Sequence, residues 1–282
     1  MGRHRPAWRP TKIVRFIKNF PTATGTILVK TDQGEGYLKA MGNPGGEHCL
    51  ACEYVGTQLA RWFGLPTFEI ALIQVTDVDE LPFKKGGMAK EGPAFITRKE
   101  QGQGWGGAER ELKRLVNKDD LTLLVIFDTW TLNWDRYSMD EKGKRRINRD
   151  NVFLSEEAPR GQLLLRAMDH THVFTKGGEL ATKLANLDKV KDNRVYGLFP
   201  RFRPFLSKEA ARRGIERLKQ FTKADAEKIV RSIPKEWDVS EAARKALVDF
   251  LVRRASYLAQ NMMTMLWPQG ELGFTEEGEE QR

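Results

Sequence analysis

Two short stretches of this 282-residue chain carry the residue types of phosphoryl-transfer chemistry: Asn133-Trp134-Asp135-Arg136 and Met168-Asp169-His170, with Asn151 between them in Asp150-Asn151-Val152-Phe153-Leu154. An acid after an apolar helical run, an amide at the start of a strand and a second acid at the end of the next strand can gather around a nucleotide. The first acid suits a proton acceptor, and the amide and second acid suit ligands of Mg²⁺. Such chemistry needs positioning and charge neutralisation more than covalent participation. Upstream, Lys39 ends a β-prone run and Glu53 follows in a helical one, the order expected of a phosphate-binding cation and the acid that fixes it.

Other residues offer rival chemistry. In Asp169-His170-Thr171-His172, a strand would put His170 and His172 on one face, as in a metal-dependent hydrolase. Only His4 and His48 remain as further histidine ligands, so a histidine packed near the second acid is the stronger expectation. Cys49 and Cys52 form a CxxC, but no second cysteine pair completes a zinc site, and their spacing on a helix favours packing. A third rival is a catalytically inert binding protein that uses a basic surface.

The elements that must position these residues follow from periodicity. Runs at 26–31 and 36–40, joined by Asp32-Gln33-Gly34-Glu35, predict a hairpin. Val55, Leu59, Trp62 and Phe63 predict a helix over Glu47–Phe63, ended by Gly64-Leu65-Pro66. Strands are expected at 68–75, 94–98, 152–154 and 163–168, and a helix at 121–132 capped by Asp119 or Asp120. After Ser207 the chain reads as helices over 207–219, 222–232 and 240–265, with Ser207, Thr222 and Ser240 as N-caps. The fold class is therefore α+β and two-lobed: a β-rich N-terminal lobe over 1–100, a mostly helical lobe over 101–267, and an acidic disordered tail over 268–282. The Gly-rich stretch 101–107 falls near the junction.

Composition sets outer limits. Hydrophobic content of 40% and charged content of 30% describe a soluble globular chain. No apolar run approaches the length of a membrane helix, and no secretory signal stands at the N-terminus, so a cytoplasmic location is expected. The net charge of +9 is uneven: residues 1–31 hold seven Lys or Arg and no acid, and Lys142-Gly143-Lys144-Arg145-Arg146 is a second basic run. This charge permits nucleic-acid or acidic-protein partners, and a solvated surface accounts for it equally well.

The ordered set resembles HipA-like kinases from about residue 25 to 260. The likeness rests on Lys39-Ala40-Met41-Gly42-Asn43-Pro44-Gly45-Gly46, on Glu53 with Leu59-Ala60 and Gly64-Leu65-Pro66, and on Phe127-Asp128-Thr129-Trp130 to Arg136. Asp150-Asn151-Val152, Met168-Asp169-His170-Thr171-His172 and Pro234-Lys235-Glu236-Trp237 complete it. The resemblance implies a protein-kinase-like fold related to phosphatidylinositol kinases, with ATP and Mg²⁺ between lobes. It also implies phosphorylation of protein Ser or Thr hydroxyls, often including the kinase itself, and in some members a toxin role with an antitoxin-like partner.

Carried onto this chain, Asp135 is the catalytic acid, Asn151 and Asp169 bind Mg²⁺, Lys39 with Glu53 holds phosphates, and Gly25 lies in the nucleotide-covering loop. Asp128 and Asn133 would brace the catalytic loop. Arg136 could contact a phosphate or pair with an acid. Two departures stand out. The family places its metal-binding Asn about five residues after the catalytic Asp, so 137–149 reads as a basic insertion, with Asp140 as the alternative ligand. The covering loop, Thr22-Ala23-Thr24-Gly25-Thr26, has a single glycine. Thr22, Thr24 and Ser138 are candidate autophosphorylation sites by position.

Overall fold

A computed structural model describes residues 7–139 and 143–268. The expected acidic tail beyond 268 and the alternative ligand Asp140 lie outside the described residues. Within them, the N-terminal part is a sheet and the C-terminal part is mostly helical.

Strands β1 (Ile13–Asn19), β2 (Ile27–Thr31), β3 (Gly34–Lys39), β4 (Ile70–Val75) and β5 (Gly92–Arg98) form an antiparallel sheet in the order β1-β2-β3-β5-β4. The β2–β3 turn is tighter than expected: Thr31 pairs with Gly34, leaving only Asp32-Gln33 as the loop. The sequence reading missed β1, an edge strand whose register shifts twice against β2. Its alternation is broken by Arg15 and Lys18, charges of the kind that discourage further pairing at an edge.

Alternation gives the sheet two faces. Leu38 and Ile96 turn to a core with Ile27, Val29, Ile73 and Phe83. Tyr37 and Lys39 turn the other way, and register sets Thr97 opposite Tyr37 and Phe95 opposite Lys39.

Helix α1 (Glu47–Phe63) crosses below that second face and ends at Gly64, whose φ of 85° suits a residue without a Cβ. Its Tyr54 meets Phe95 of the sheet and Trp237 of the C-terminal part edge-on, while Trp62 and Phe63 stack toward Trp130. One helix thereby serves both layers. Cys49 and Cys52 are free and buried on it. Burial pushes the Cys49 thiol up to about 12 and Cys52 higher still, which suits packing rather than reactivity.

The Gly-rich segment holds β6 (Gly102–Gly104), followed by α2 (Glu109–Lys113). Helix α3 (Asp119–Thr131) is buried from Leu121 onward and forms the centre of the C-terminal core. Asp119 and Asp120 lie inside its first turn, where carboxylates favour the helix dipole, rather than capping it.

The expected insertion is a hairpin, β7 (Tyr137–Met139) with β8 (Arg145–Ile147). Strands β9 (Val152–Ser155) and β10 (Leu164–Ala167) then pair, with β6 on the far side of β9. Beyond α4 (Leu187–Val190) come α5 (Lys208–Gln220), α6 (Lys223–Arg231) and α7 (Glu241–Leu266). The hydroxyls of Ser207, Thr222 and Ser240 accept from Ala210, Asp225 and Ala243 N–H groups, as their sequences predict.

Buried Arg254 of α7 secures the end of α3. Its Nη2 donates to Thr129 O at 2.7 Å and its Nε to Trp130 O at 3.1 Å, satisfying carbonyls that the helix leaves open. Its Nη1 reaches Lys189, Val190 and Asp192 carbonyls. No described helix is long and apolar enough to cross a membrane.

Candidate active site

A cavity of about 330 Å³ opens between the sheet and the β6–β9–β10 layer. Tyr37, Phe68, Ile70, Phe95 and Phe153 supply apolar walls, and Lys39, Glu53, Glu100, Asp150 and Asp169 supply charge. A largely apolar cleft with a few convergent charged groups suits a base and its phosphates. Thr22 and Thr26 line it, whereas Gly25 serves the turn itself, at φ 60° with its missing Cβ facing Phe83.

Lys39 Nζ donates to Glu53 Oε2 at 2.7 Å and to Asp169 Oδ1 at 3.1 Å. Burial weighs most on all three groups. It lifts the Glu53 carboxyl above its usual range, with Asp169 adding repulsion. At Asp169, Lys39 and Thr171 outweigh burial and hold the carboxyl far below the usual range. At Lys39, the two acids likewise outweigh burial and raise the ammonium well above its ordinary value. An ammonium and an ionised carboxylate thus face the cavity at neutral pH.

Asp169 reaches this position because β10 stops at Ala167, whose N–H donates to Pro66 O at 2.8 Å. Asp169 then adopts φ 52°, a left-handed conformation tolerated by Asp. Thr171 Oγ1 donates to Asp169 Oδ1 at 2.8 Å, and the His170 N–H donates to Glu53 Oε2 at 3.1 Å.

With the strand ended, His170 and His172 share no strand face, which overturns the hydrolase reading. The His170 ring is fully buried between Thr57, at 3.2 Å, and Phe127, and burial depresses it to about 3, so it stays neutral. Its Nε2 has no partner among the described residues. His172 turns instead toward Asp135, its Nδ1 lying 3.5 Å from Oδ2. No group of three or more His, Cys, Asp or Glu among the described residues is placed to hold a metal ion.

Asp135 follows the left-handed stop of α3 at Leu132. Asn133 Nδ2 donates to Asp128 Oδ1 at 2.9 Å, and its Oδ1 accepts from the Asp135 N–H at 3.2 Å. Arg136 is a structural residue: fully buried, its Nε donates to Asp128 Oδ2 at 2.7 Å and its Nη2 to Met168 O at 3.0 Å. That last bond ties the two acid-bearing loops together.

The β7–β8 hairpin accounts for the long spacing. It folds back on itself and returns the chain to its start, so Asn151 Nδ2 donates to Asp135 Oδ2 at 2.9 Å across sixteen residues. Asn148 Nδ2 reaches the same oxygen at 3.2 Å, and Arg146 Nε reaches Oδ1 at 2.6 Å.

Sequence reasoning missed Arg146, Asn148, Asp150 and Thr171 at this site. Thr171, two residues after an acid, was open to detection as a local side-chain bond. Asp150 stands out in the sequence only as the neighbour of Asn151, and the close approach allowed by Gly104, where a Cβ would meet Asp150 Cα at 2.9 Å, has no sequence signal. Of the autophosphorylation candidates, Thr24 and Ser138 are buried and Thr22 is exposed.

A family model described as HipA-like kinase matches residues 13–268. Among solved structures, the chain is similar to a Helicobacter pylori proinflammatory kinase, CtkA, with a TM-score of 0.57 and 14% identity over 95% of this chain and 100% of that one. At that identity the likeness shows a shared fold. The kinase domain of Mycobacterium tuberculosis PknI matches at a TM-score of 0.26 and 14% identity, over 86% of this chain and 95% of that one, too slight a likeness to carry weight. No curated protein matches the sequence.

Proposed function

The chain belongs to the HipA-like kinase family, and from that premise we propose an ATP- and Mg²⁺-dependent protein kinase acting on Ser or Thr hydroxyls. Its general character as a kinase-type phosphotransferase rests on the family and the fold. The observation that carries the finer reading is the contact of Lys39 with both Glu53 and Asp169 at the base of an apolar cleft.

The residues present fit a magnesium ion. Asp169 is held ionised, Asn151 adds an amide oxygen, and hard oxygen donors of this kind suit Mg²⁺, which keeps several waters and shares phosphate oxygens. When bound, the metal neutralises charge on the phosphates. Asp169 and Asn151 would hold it.

Lys39 holds phosphate oxygens, and Glu53 keeps its ammonium aimed into the cleft. Tyr37, Phe68, Phe95 and Phe153 take the base. Asp135 orients the acceptor hydroxyl and receives its proton as the acceptor oxygen forms its bond to the γ-phosphorus and the bond to the β-phosphate oxygen breaks. Thr22, exposed in the covering turn, is the autophosphorylation candidate that the fold leaves accessible. A toxin role and an antitoxin-like partner are extensions drawn from the family. Nucleic-acid binding is an extension drawn from the charge.

Incubation with labelled ATP and Mg²⁺ beside an Asp135→Ala control tests the reading. Label in the wild type alone is the expected result. Mg²⁺-dependent ATP binding without transfer to any protein acceptor would point to a different acceptor. Absence of both binding and transfer would leave an inert kinase-fold binding protein.

A further inference from the structure

Asp135 is covered more completely than a proton acceptor requires. Oδ1 accepts from Arg146 Nε at 2.6 Å, and a second guanidinium nitrogen also contacts it. Oδ2 accepts from Asn151 and Asn148 at 2.9 and 3.2 Å, with His172 at 3.5 Å. A hydroxyl that gives its proton to this carboxylate must take the place of one partner.

Exposure identifies which partner leaves. Asn151 is buried, Asn148 is half-buried and the His172 side chain is 21% exposed. The Arg146 side chain is 60% exposed, on a strand whose three residues all face solvent. An ion pair with one partner largely in water is weak, and a competing anion can take it over.

Cations also surround the approach. Trp134, adjacent to Asp135 in the chain, carries the Lys176 ammonium 3.2 Å above its ring and the Arg194 guanidinium at 4.6 Å. A second cavity, of about 250 Å³, is lined by Trp134, Lys176, Lys183 and Lys189 together with Glu179 and Asp192, with Asp192 paired to Arg194 and Lys189 to Asp188. Cations therefore flank Trp134, the immediate neighbour of Asp135, and favour an anion beside it.

Building on the kinase reading, we propose that Arg146 is a cap on Asp135 that an acidic acceptor peptide removes. A carboxylate near the acceptor hydroxyl takes the guanidinium, and the freed Oδ1 receives the hydroxyl. The inserted hairpin thereby selects acidic protein substrates. A peptide is favoured over RNA because the nearby rings are already engaged: Trp134 carries two cations, and Tyr137 of β7 packs against Phe199.

The test compares wild type, Arg146→Ala and Arg146→Lys on two peptides of equal length, with one Ser flanked by Asp and Glu or by Ala and Gly. Wild type is expected to favour the acidic peptide. Arg146→Ala is expected to phosphorylate the neutral peptide about two- to fivefold faster than wild type and to lose the preference. Arg146→Lys should keep it. Slower transfer to both peptides by Arg146→Ala would overturn the cap and make Arg146 a stabiliser of the transferring phosphoryl group. An unchanged preference would overturn it as well.

Anisotropy of the fluorescein-labelled acidic peptide with nucleotide-free protein separates this proposal from the kinase reading. Binding weakened by Arg146→Ala, without label transfer by any variant, would uphold anion recognition by Arg146 while the kinase reading fails. Binding of a labelled oligoribonucleotide that the acidic peptide does not displace would overturn the peptide assignment.

Discussion

Lys39, the last residue of β3, and Asp169, two residues past the end of β10, meet at 3.1 Å although 130 residues separate them. Glu53 on α1 holds the same ammonium at 2.7 Å. This three-way contact joins the sheet, its helix and the C-terminal part at a single cation. A charge buried there is stable only because two carboxylates face it.

Replacing Lys39 by Met is expected to lower phosphoryl transfer by about 10²–10³-fold, the scale of losing one preorganised charge at a transferring group. The change also leaves Glu53 buried without its cation, at a stability loss of roughly 3 kcal/mol. Label transfer and urea unfolding measure the two effects separately. Full turnover in the variant would remove Lys39 from the mechanism.

Asp169→Asn keeps the side-chain shape and its bond from Thr171 but removes the negative charge. Mg²⁺-dependent nucleotide binding and transfer should both be abolished, with melting below wild type because the buried Lys39 ammonium keeps only Glu53 as its counter-charge. Near wild-type turnover would exclude Asp169 as a metal ligand.

Gly56 lies in the middle of α1, where an added Cβ would stand 2.5 Å from His170 Cβ. Alanine favours a helix by about 1 kcal/mol over glycine. Overpacking against the backbone that carries Asp169 costs about 1–3 kcal/mol. Gly56→Ala is therefore expected to destabilise on balance and to reduce transfer, as thermal melting and initial rates would show. A more stable, fully active variant would refute the close approach.

Arg136 and Asp128 form an ion pair with both side chains fully buried. Arg136→Met strands the Asp128 carboxylate, and a loss of roughly 3–5 kcal/mol is expected in urea unfolding. A change under 1 kcal/mol would mean that water reaches the site.

Asp192 gives a pH signature. Burial alone would raise its carboxyl, but bonds from Arg194 and Tyr196 outweigh it and hold the group below its usual range. A depressed folded pKa means that its stabilisation is present above the unfolded value of about 3.9 and is lost as pH falls through the folded one. Asp192→Asn should melt lower than wild type at pH 7, with the gap closing below about pH 4. A gap that persists unchanged at acid pH would contradict this.

Much of the architecture was legible locally. Helix α1 matches its expected bounds, and Ser207, Thr222 and Ser240 cap the helices they precede, because caps and 3.6-residue periodicity act over a few residues. Strand β1 was not legible, since an edge strand has only one paired side and its charged residues break the alternation that marks a strand. The packed histidine expected near the second acid is His170, and the rival strand face shared with His172 fails because the chain turns after Ala167 at the left-handed Asp169.

The sequence by itself determined which chemistry was available, since Lys39, Glu53, Asp135, Asn151 and Asp169 appear in the order a phosphotransferase uses. Only the tertiary structure decided their distances. Asn151 reaches Asp135 because a hairpin pairs with itself and cancels the intervening residues. Arg136 belongs to Asp128 rather than to a phosphate because the core closes over both. Arg146 meets Asp135 through the register of β7 on β8, in which Arg146 stands opposite Ser138. Periodicity and capping report on neighbours in the chain. Long-range charge pairing depends on how the elements close on one another, and no short stretch of sequence encodes it.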